Sequence, residues 1–316
     1  MTSGIHHVTA IAGPAARNLD FYTRVLGQRL VKKTVNFDDP GTYHFYFGDN
    51  AGNPGTILTF FPWANVAAGR LGVGETSETA YRVPASSIGF WTHRFIEKGV
   101  AHDAPEKRFG ETILRFRDPD GMRLALVGVG DADAATAWGA AEVPAEHALN
   151  GFHGVSLLLD RAEPTGAILT DVLGFTETAR EGNRIRYASG AVPGGFVDLD
   201  AVGGFLPARM GAGSVHHVAF RASDDAAQEA MVSRLRENHG VRATSQKDRN
   251  YFRSVYFREP GGVLFEIATD APGFAVDEAP ESLGTALKLP AQYERHREEI
   301  EAVLPDLTAP SATVNA

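Results

Sequence analysis

Two histidine pairs and one isolated glutamate carry the chemistry most readily read from this chain. Ile5-His6-His7-Val8 stands near its start, and Val215-His216-His217-Val218 recurs in its last third. Downstream of the second pair, Glu259-Pro260-Gly261-Gly262 forms a turn signal. It leads into Val263-Leu264-Phe265-Glu266-Ile267, where Glu266 is the one acid in an apolar strand-like run. An unpaired carboxylate is costly to bury, so such a glutamate asks for a cation. Two imidazoles and one carboxylate on strands are the donor set of a two-His-one-carboxylate metal site, which leaves one face of the ion open.

The elements that must position these groups repeat along the chain. Ala15 to Leu26 reads as a helix, and Leu19–Gly27 resembles Gly166–Phe175; both segments are amphipathic and closed by glycine. The turns Asn53-Pro54-Gly55, Asp118-Pro119-Asp120-Gly121, Val192-Pro193-Gly194 and Glu259-Pro260-Gly261 each precede a strand-like run. The chain therefore divides into four units, 4–64, 86–129, 150–200 and 213–269, each a strand, a helix and then two or three strands. Residues 64–85 read as a Gly-, Ala- and Thr-rich connector and 130–149 as a linker. The tail 270–316 holds one helix, Pro290 to Leu304, and a polar end expected to be disordered.

The repeats serve as internal controls. In the third unit Phe152-His153-Gly154-Val155 stands where the fourth has Val215-His216-His217-Val218, so the second histidine has become Gly154. At the position of Glu266 the first unit has Phe60, the second Ala125 and the third Leu199. The economical inference is a single metal centre on His7, His217 and Glu266, with the first and fourth units facing each other and the second and third pairing. Because successive strand side chains point to opposite faces, both members of a His-His pair cannot aim straight at one ion.

Composition narrows the setting. The 316 residues are 43% hydrophobic and 22% charged, with a net charge of −9. That balance speaks against nucleic acid or an anionic membrane as partner. With no cysteine, disulfides, iron–sulfur clusters and zinc–thiolate sites are excluded. No stretch approaches the roughly 20 apolar residues of a membrane span, and no basic segment followed by an apolar one leads the chain. A cytoplasmic protein is expected.

Taken together, these motifs resemble the vicinal oxygen chelate superfamily, built from βαβββ modules, and more narrowly its four-module hydroquinone-type ring-cleaving dioxygenases. The resemblance spans nearly the whole chain. It includes Gly4-Ile5-His6-His7-Val8-Thr9, Leu26-Gly27-Gln28-Arg29, Thr42-Tyr43-His44-Phe45-Tyr46, Asp248-Arg249, Tyr251-Phe252 and Glu281-Ser282-Leu283-Gly284. It implies an α+β fold of four βαβββ modules in two open half-barrels, modules 1 and 4 around the metal and modules 2 and 3 together, plus a C-terminal helical tail. It also implies that the second member of each pair, His7 and His217, joins Glu266 in holding Fe(II), with Mn(II) the other candidate, and that O2 is the co-substrate of a small para-dihydroxylated aromatic. His6, Thr9, His216, Arg249 and Tyr256 fall on supporting catalytic positions. Relatives of this kind are often dimers or larger, so a homo-oligomer is compatible.

His6 and His216 suit proton transfer, since an ordinary histidine titrates near pH 6.5. Tyr256 suits donation to a reacting oxygen, and Arg249 the stabilisation of anionic charge. Two other functions compete on the same scaffold: a non-redox lyase, isomerase or thiol transferase of the glyoxalase type, and a metal-free protein that binds a small aromatic.

Overall fold

The computed structural model describes residues 4–130 and 138–308. Part of the expected linker, 131–137, and the polar end of the tail from 309 lie outside the described residues. The first unit comprises β1 (Ile5–Ala12), α1 (Ala15–Asp20) continuing as a π-turn over Phe21–Val25, β2 (Arg29–Asn36), β3 (Asp39–Gly48) and β4 (Ile57–Pro62). The second has β5 (Glu75–Pro84), α2 (Ile88–Glu97), β6 (Glu106–Arg108), β7 (Glu111–Arg117) and β8 (Arg123–Val129). The third has β9 (Phe152–Leu159), α3 (Glu163–Asp171), β10 (Thr176–Glu181), β11 (Arg184–Ala188) and β12 (Phe196–Ala201). The fourth has β13 (Val215–Ala222), α4 (Asp225–His239), β14 (Lys247–Asp248), β15 (Arg253–Arg258) and β16 (Leu264–Thr269).

Every unit is thus a complete βαβββ module, and the units pair as the repeats implied. One eight-stranded sheet runs β14-β15-β16-β13-β1-β4-β3-β2, joining the fourth unit to the first. The other runs β10-β11-β12-β9-β5-β8-β7-β6, joining the third to the second. The seams are antiparallel, β1 on β13 and β5 on β9. The helices supply large apolar side chains to the core, among them Tyr22, Trp91, Leu169 and Leu235, all fully buried.

The residues expected to form a connector include a strand, β5, which is the first strand of the second unit. Its inward face is polar, carrying Thr76 and Glu78, both buried. An apolar run was the signal for the other first strands, and β5 lacks one because Glu78 is neutralised by Arg108 at 2.5 and 3.3 Å. In the tail, the expected helix over Pro290–Leu304 is a shorter α5 (Arg297–Val303), preceded by a 3-10 turn at Glu294–His296.

The repeated Pro-Gly turns hold the two halves together. The Gly55 N–H donates to the His6 carbonyl and the Phe152 N–H to the Gly55 carbonyl, each at 2.8 Å; the Ile5 N–H donates to the Gly194 carbonyl at 2.9 Å. Gly55 and Gly194 have φ of +89° and +81°, a left-handed region that a side chain disfavours. A Cβ on Gly194 would also meet the Ile5 carbonyl at 3.1 Å.

In the second half-barrel, Glu111 ties the two units together, at 2.9 Å from His153 and 2.5 Å from Arg186. Partial burial pushes the Glu111 carboxyl up, but His153 and Arg186 outweigh it and hold it at about 2, against 4.5 for a free glutamate. A depressed carboxyl stabilises the fold above its unfolded pKa, and that contribution is lost as pH falls from about 4.5 to about 2. Glu111→Gln is therefore expected to flatten the acid limb of the urea midpoint in that window. An unchanged acid slope would remove Glu111 from this role.

Candidate metal centre

β1 and β13 lie side by side at the middle of their sheet, with β16 next to β13. This order brings His7, His217 and Glu266 to one point on the concave face, all three buried, with their ligand atoms within 4.8 Å of one another. His217 Nε2 is 2.9 Å from Glu266 Oε2, His7 Nε2 is 3.4 Å from the same oxygen, and the two Nε2 atoms are 3.4 Å apart.

The surroundings fit a divalent cation. Ser254 Oγ donates to Glu266 Oε1. Oε2 lies against the two imidazoles and is a buried oxygen with no hydrogen-bond partner among the described residues. Donor atoms about 2.1 Å from a shared ion and 90–110° apart stand roughly 3.0–3.4 Å from one another, the spacing found here. Burial raises the Glu266 carboxyl, but His7 and His217 more than offset this and hold it well below the usual carboxylate range. Burial draws His217 down, and Glu266 only partly restores it. The set is thus one carboxylate with a neutral imidazole at His217, ready to ligate.

The first member of each pair orients the second. His6 Nδ1 is 2.9 Å from His7 Nδ1, and His216 Nδ1 is 2.8 Å from His217 Nδ1. With the proton on its own Nδ1, each inner histidine donates to its neighbour and turns a bare Nε2 towards Glu266. A register shift between Ile5 and His7 bends β1 and brings the His6 ring alongside. The two outer histidines then differ. His216 lines the cup above the three ligand atoms, whereas His6 faces a separate cavity beside Asn53, Tyr251 and Phe274.

The cup itself has a volume of about 170 Å3, with Thr9, His44, Phe61, Trp63, Arg249 and Tyr256 in its wall. Arg249 Nε donates to Tyr256 Oη at 3.3 Å, and its Nη2 reaches Asp38 of the first unit at 3.3 Å across the mouth. Burial raises the Tyr256 phenol and lowers the His216 imidazole to about 4, so both are neutral near pH 7. All the sequence-derived residues except His6 thus belong to the cup or its floor. The sequence alone assigns no role in the site to Ser254, Phe252, Thr59, Tyr46, Asp38 or His44, which the structure places there. Strand alternation was the available signal: Ser254 shares a face with Tyr256, and His44 shares one with Tyr46.

The ladders correct the alignment of the repeats. Ala219 stands opposite Glu266, Ser156 opposite Asp198, Thr9 opposite Thr59, and Ala80 opposite Ala125. The counterparts of Glu266 are therefore Thr59, Ala125 and Asp198; Phe60 and Leu199 are one residue off and lie in the core. A one-residue slip moves a strand side chain to the other face. By the same ladders Glu78 occupies the place of His7 and Gly154 that of His217. The second half-barrel thus keeps two acids at ligand positions but closes them with arginine. Arg186 grips Asp198 at 2.8 and 2.9 Å, and Arg108 grips Glu78; a space of about 10 Å3 touches both acids, while Glu78 also borders a separate cavity of about 400 Å3 with Ser156, Arg184 and Asp200.

Comparison with known proteins agrees with this geometry. Residues 4–126 and 151–267 match the family described as Glyoxalase/Bleomycin resistance protein/Dioxygenase superfamily. A Bacillus subtilis (strain 168) protein with the provisional name ring-cleaving dioxygenase MhqO is 47% identical over 95% of both chains. The chlorohydroquinone/hydroquinone 1,2-dioxygenase of Sphingobium indicum is 34% identical over 96% of both. A crystal structure of a provisionally named dioxygenase from Bacillus subtilis superposes with a TM-score of 0.92 at 46% identity, covering 96% of this chain and 97% of that one. Glyoxalase I from Zea mays shares the fold alone, with a TM-score of 0.65 at 15% identity over 85% of this chain and 93% of that one. The chain belongs to the Glyoxalase/Bleomycin resistance protein/Dioxygenase superfamily and groups within it with the ring-cleaving dioxygenases. No helix among the described residues is long and apolar enough to cross a membrane.

Proposed function

We propose that this protein is an Fe(II)-dependent dioxygenase that opens a para-dihydroxylated, hydroquinone-type aromatic ring. The observation that carries the reading is Glu266 Oε2, a buried and otherwise unbonded carboxylate oxygen beside two oriented imidazoles, at the floor of an aromatic-walled cup. The 34% identity to a hydroquinone 1,2-dioxygenase supports the ring class, and a cup of about 170 Å3 suits a single ring.

His7, His217 and Glu266 would hold the metal. When bound, iron supplies the electron exchange that ground-state O2 needs to react with a closed-shell ring. The cup residues bind and orient around that chemistry. Phe61 and Trp63 offer apolar faces to the ring. The Tyr256 oxygen accepts from Arg249, and its hydroxyl lines the cup, where it can donate to an oxygen gaining negative charge. His216, neutral and accepting from His217 on Nδ1, presents Nε2–H to the cup and can hold or return a proton there. His6 is a positioning residue acting through His7.

The deciding experiment is O2 consumption by anaerobically purified, Fe(II)-reconstituted protein, offered hydroquinone, methylhydroquinone, a chlorohydroquinone and catechol. Iron-dependent uptake with loss of aromatic absorbance on the para-dihydroxylated rings is expected. Stoichiometric bound metal with no uptake on any ring would sink the proposal and favour a non-redox reaction.

A further inference from the structure

A second polar system lies in the cup wall, on strands of the first unit. Tyr46 Oη is 2.9 Å from His44 Nδ1, His44 Nε2 is 2.9 Å from Thr59 Oγ1, and Thr59 Oγ1 is 2.8 Å from Thr9 Oγ1. Both ends, Thr9 and Tyr46, line the cup, and each is nearly inaccessible to bulk solvent, at 1% and 2% exposure. Neither end has a further hydrogen-bond partner among the described residues. Burial, followed by His7 and His217, draws the His44 imidazole well below its ordinary range, so it stays neutral.

A neutral imidazole has one N–H and one bare nitrogen, so the chain can run in two directions only. With hydrogen on Nε2, Tyr46 donates to His44, His44 to Thr59 and Thr59 to Thr9, and the Thr9 hydroxyl points its hydrogen into the cup. With hydrogen on Nδ1, every bond reverses. Thr9 then becomes an acceptor towards the cup, and Tyr46 carries the spare hydrogen. In either state one end donates and the other accepts, because an unmatched buried donor is costly.

We infer that Tyr46, His44, Thr59 and Thr9 form a two-state proton relay between two points of the cup wall, Thr9 on β1 and Tyr46 on β3. This deepens the dioxygenase reading and rests on it for its substrate. A ring hydroxyl beside Thr9 gives its proton to Thr9 Oγ1, and the Thr9 hydrogen passes to Thr59. The Thr59 hydrogen passes to His44 Nε2, the Nδ1 hydrogen to Tyr46 Oη, and the Tyr46 hydrogen to water in the cup. One proton is moved, the ring oxygen is left anionic, and Thr9 now donates to it. His44 remains neutral throughout and changes only its tautomer. His44 and Thr59 are positioning residues for this transfer, since they act through the two ends.

The test has one arm that needs no turnover. Nitrogen-15 NMR of histidine-labelled, Zn(II)-loaded protein, with His44 assigned by the His44→Gln variant, reads the tautomer directly. Saturation with 4-nitrophenolate is expected to drive His44 to the Nε2–H form. An imidazolium, or a dominant Nδ1–H form in that complex, overturns the relay. In the Fe(II) enzyme, Thr59→Val is expected to lower kcat about 10²-fold with little change in KM. It should also reduce a multi-proton solvent isotope inventory to a single-proton one, and Thr59→Ser should restore both. Wild-type kcat and inventory in Thr59→Val would also overturn it. If the tautomer follows the ligand but no ring is cleaved, the dioxygenase reading fails and the relay stands.

Discussion

Glu266→Gln is expected to release the metal and abolish ring cleavage together. The substitution keeps the side chain's shape and an oxygen for Ser254 to donate to, so the fold has little cause to change. What it removes is the one negative charge that balances a divalent ion beside two imidazoles. A three-ligand site that loses its anionic member loses most of its affinity, so metal content should fall below about one-tenth of the wild-type value. His216→Ala provides the contrast. It removes the neighbour that orients His217, not a ligand, and effects of such outer partners run to about 10–100-fold; turnover should drop by that much with metal retained. Metal analysis after gel filtration separates the two. A fully loaded, active Glu266→Gln variant would remove Glu266 from the site, and metal loss in His216→Ala would reassign the ligand within that pair.

Lys32→Met should cost the fold about 3 kcal/mol. Lys32 is completely buried on β2, and its ammonium pairs with Asp277 at 2.6 Å and with Glu278, both from the segment that follows the fourth unit. Removing the cation leaves Glu278 buried without its partner, the situation in which a broken ion pair is most destabilising. That segment is not a loose appendage. Phe274 stacks on Tyr251 at 4.9 Å and meets Tyr46 edge-on at 5.1 Å, and Arg29 donates to the Pro280 carbonyl at 2.7 Å. Urea unfolding of Lys32→Met, alone and with Glu278→Gln, measures the effect. The double variant should recover part of the loss, and a single variant of unchanged midpoint would show that the pair carries no net stability.

The grouping of His7, His217 and Glu266 was legible because the chain contains its own comparison. A duplicated His-His pair stands out without any structure, and so does Glu266 in its apolar run, although the ladders give it an acidic counterpart, Asp198, in the third unit. The four-unit division was legible for the same reason, down to the pairing of first with fourth. What escaped notice did so for physical reasons. β5 hides in a Gly- and Thr-rich stretch because its inward face is polar and paired, so it lacks an apolar signature. Asp198 was mistaken for its neighbour Leu199 because strand register is decided by the ladder, not by the turn that precedes it. Tyr46, His44 and Thr59 look like ordinary strand residues until folding lines up their polar atoms. The tail read as an appendage because Lys32 and Glu278 are far apart in the chain, and nothing local couples them.

The seam between β1 and β13 also places a condition on biosynthesis. β1 is made early, yet its antiparallel partner is the first strand of the fourth unit. Until that unit emerges, an almost wholly buried strand has one open edge, the kind of surface on which nascent chains aggregate. The second and third units, by contrast, are consecutive and can close their own sheet first. The ribosome therefore delivers the arginine-filled half-barrel before the one that carries the candidate metal centre. Such a distant pairing is slow to form, so loading with metal becomes a late event that reports completion of the fourth unit.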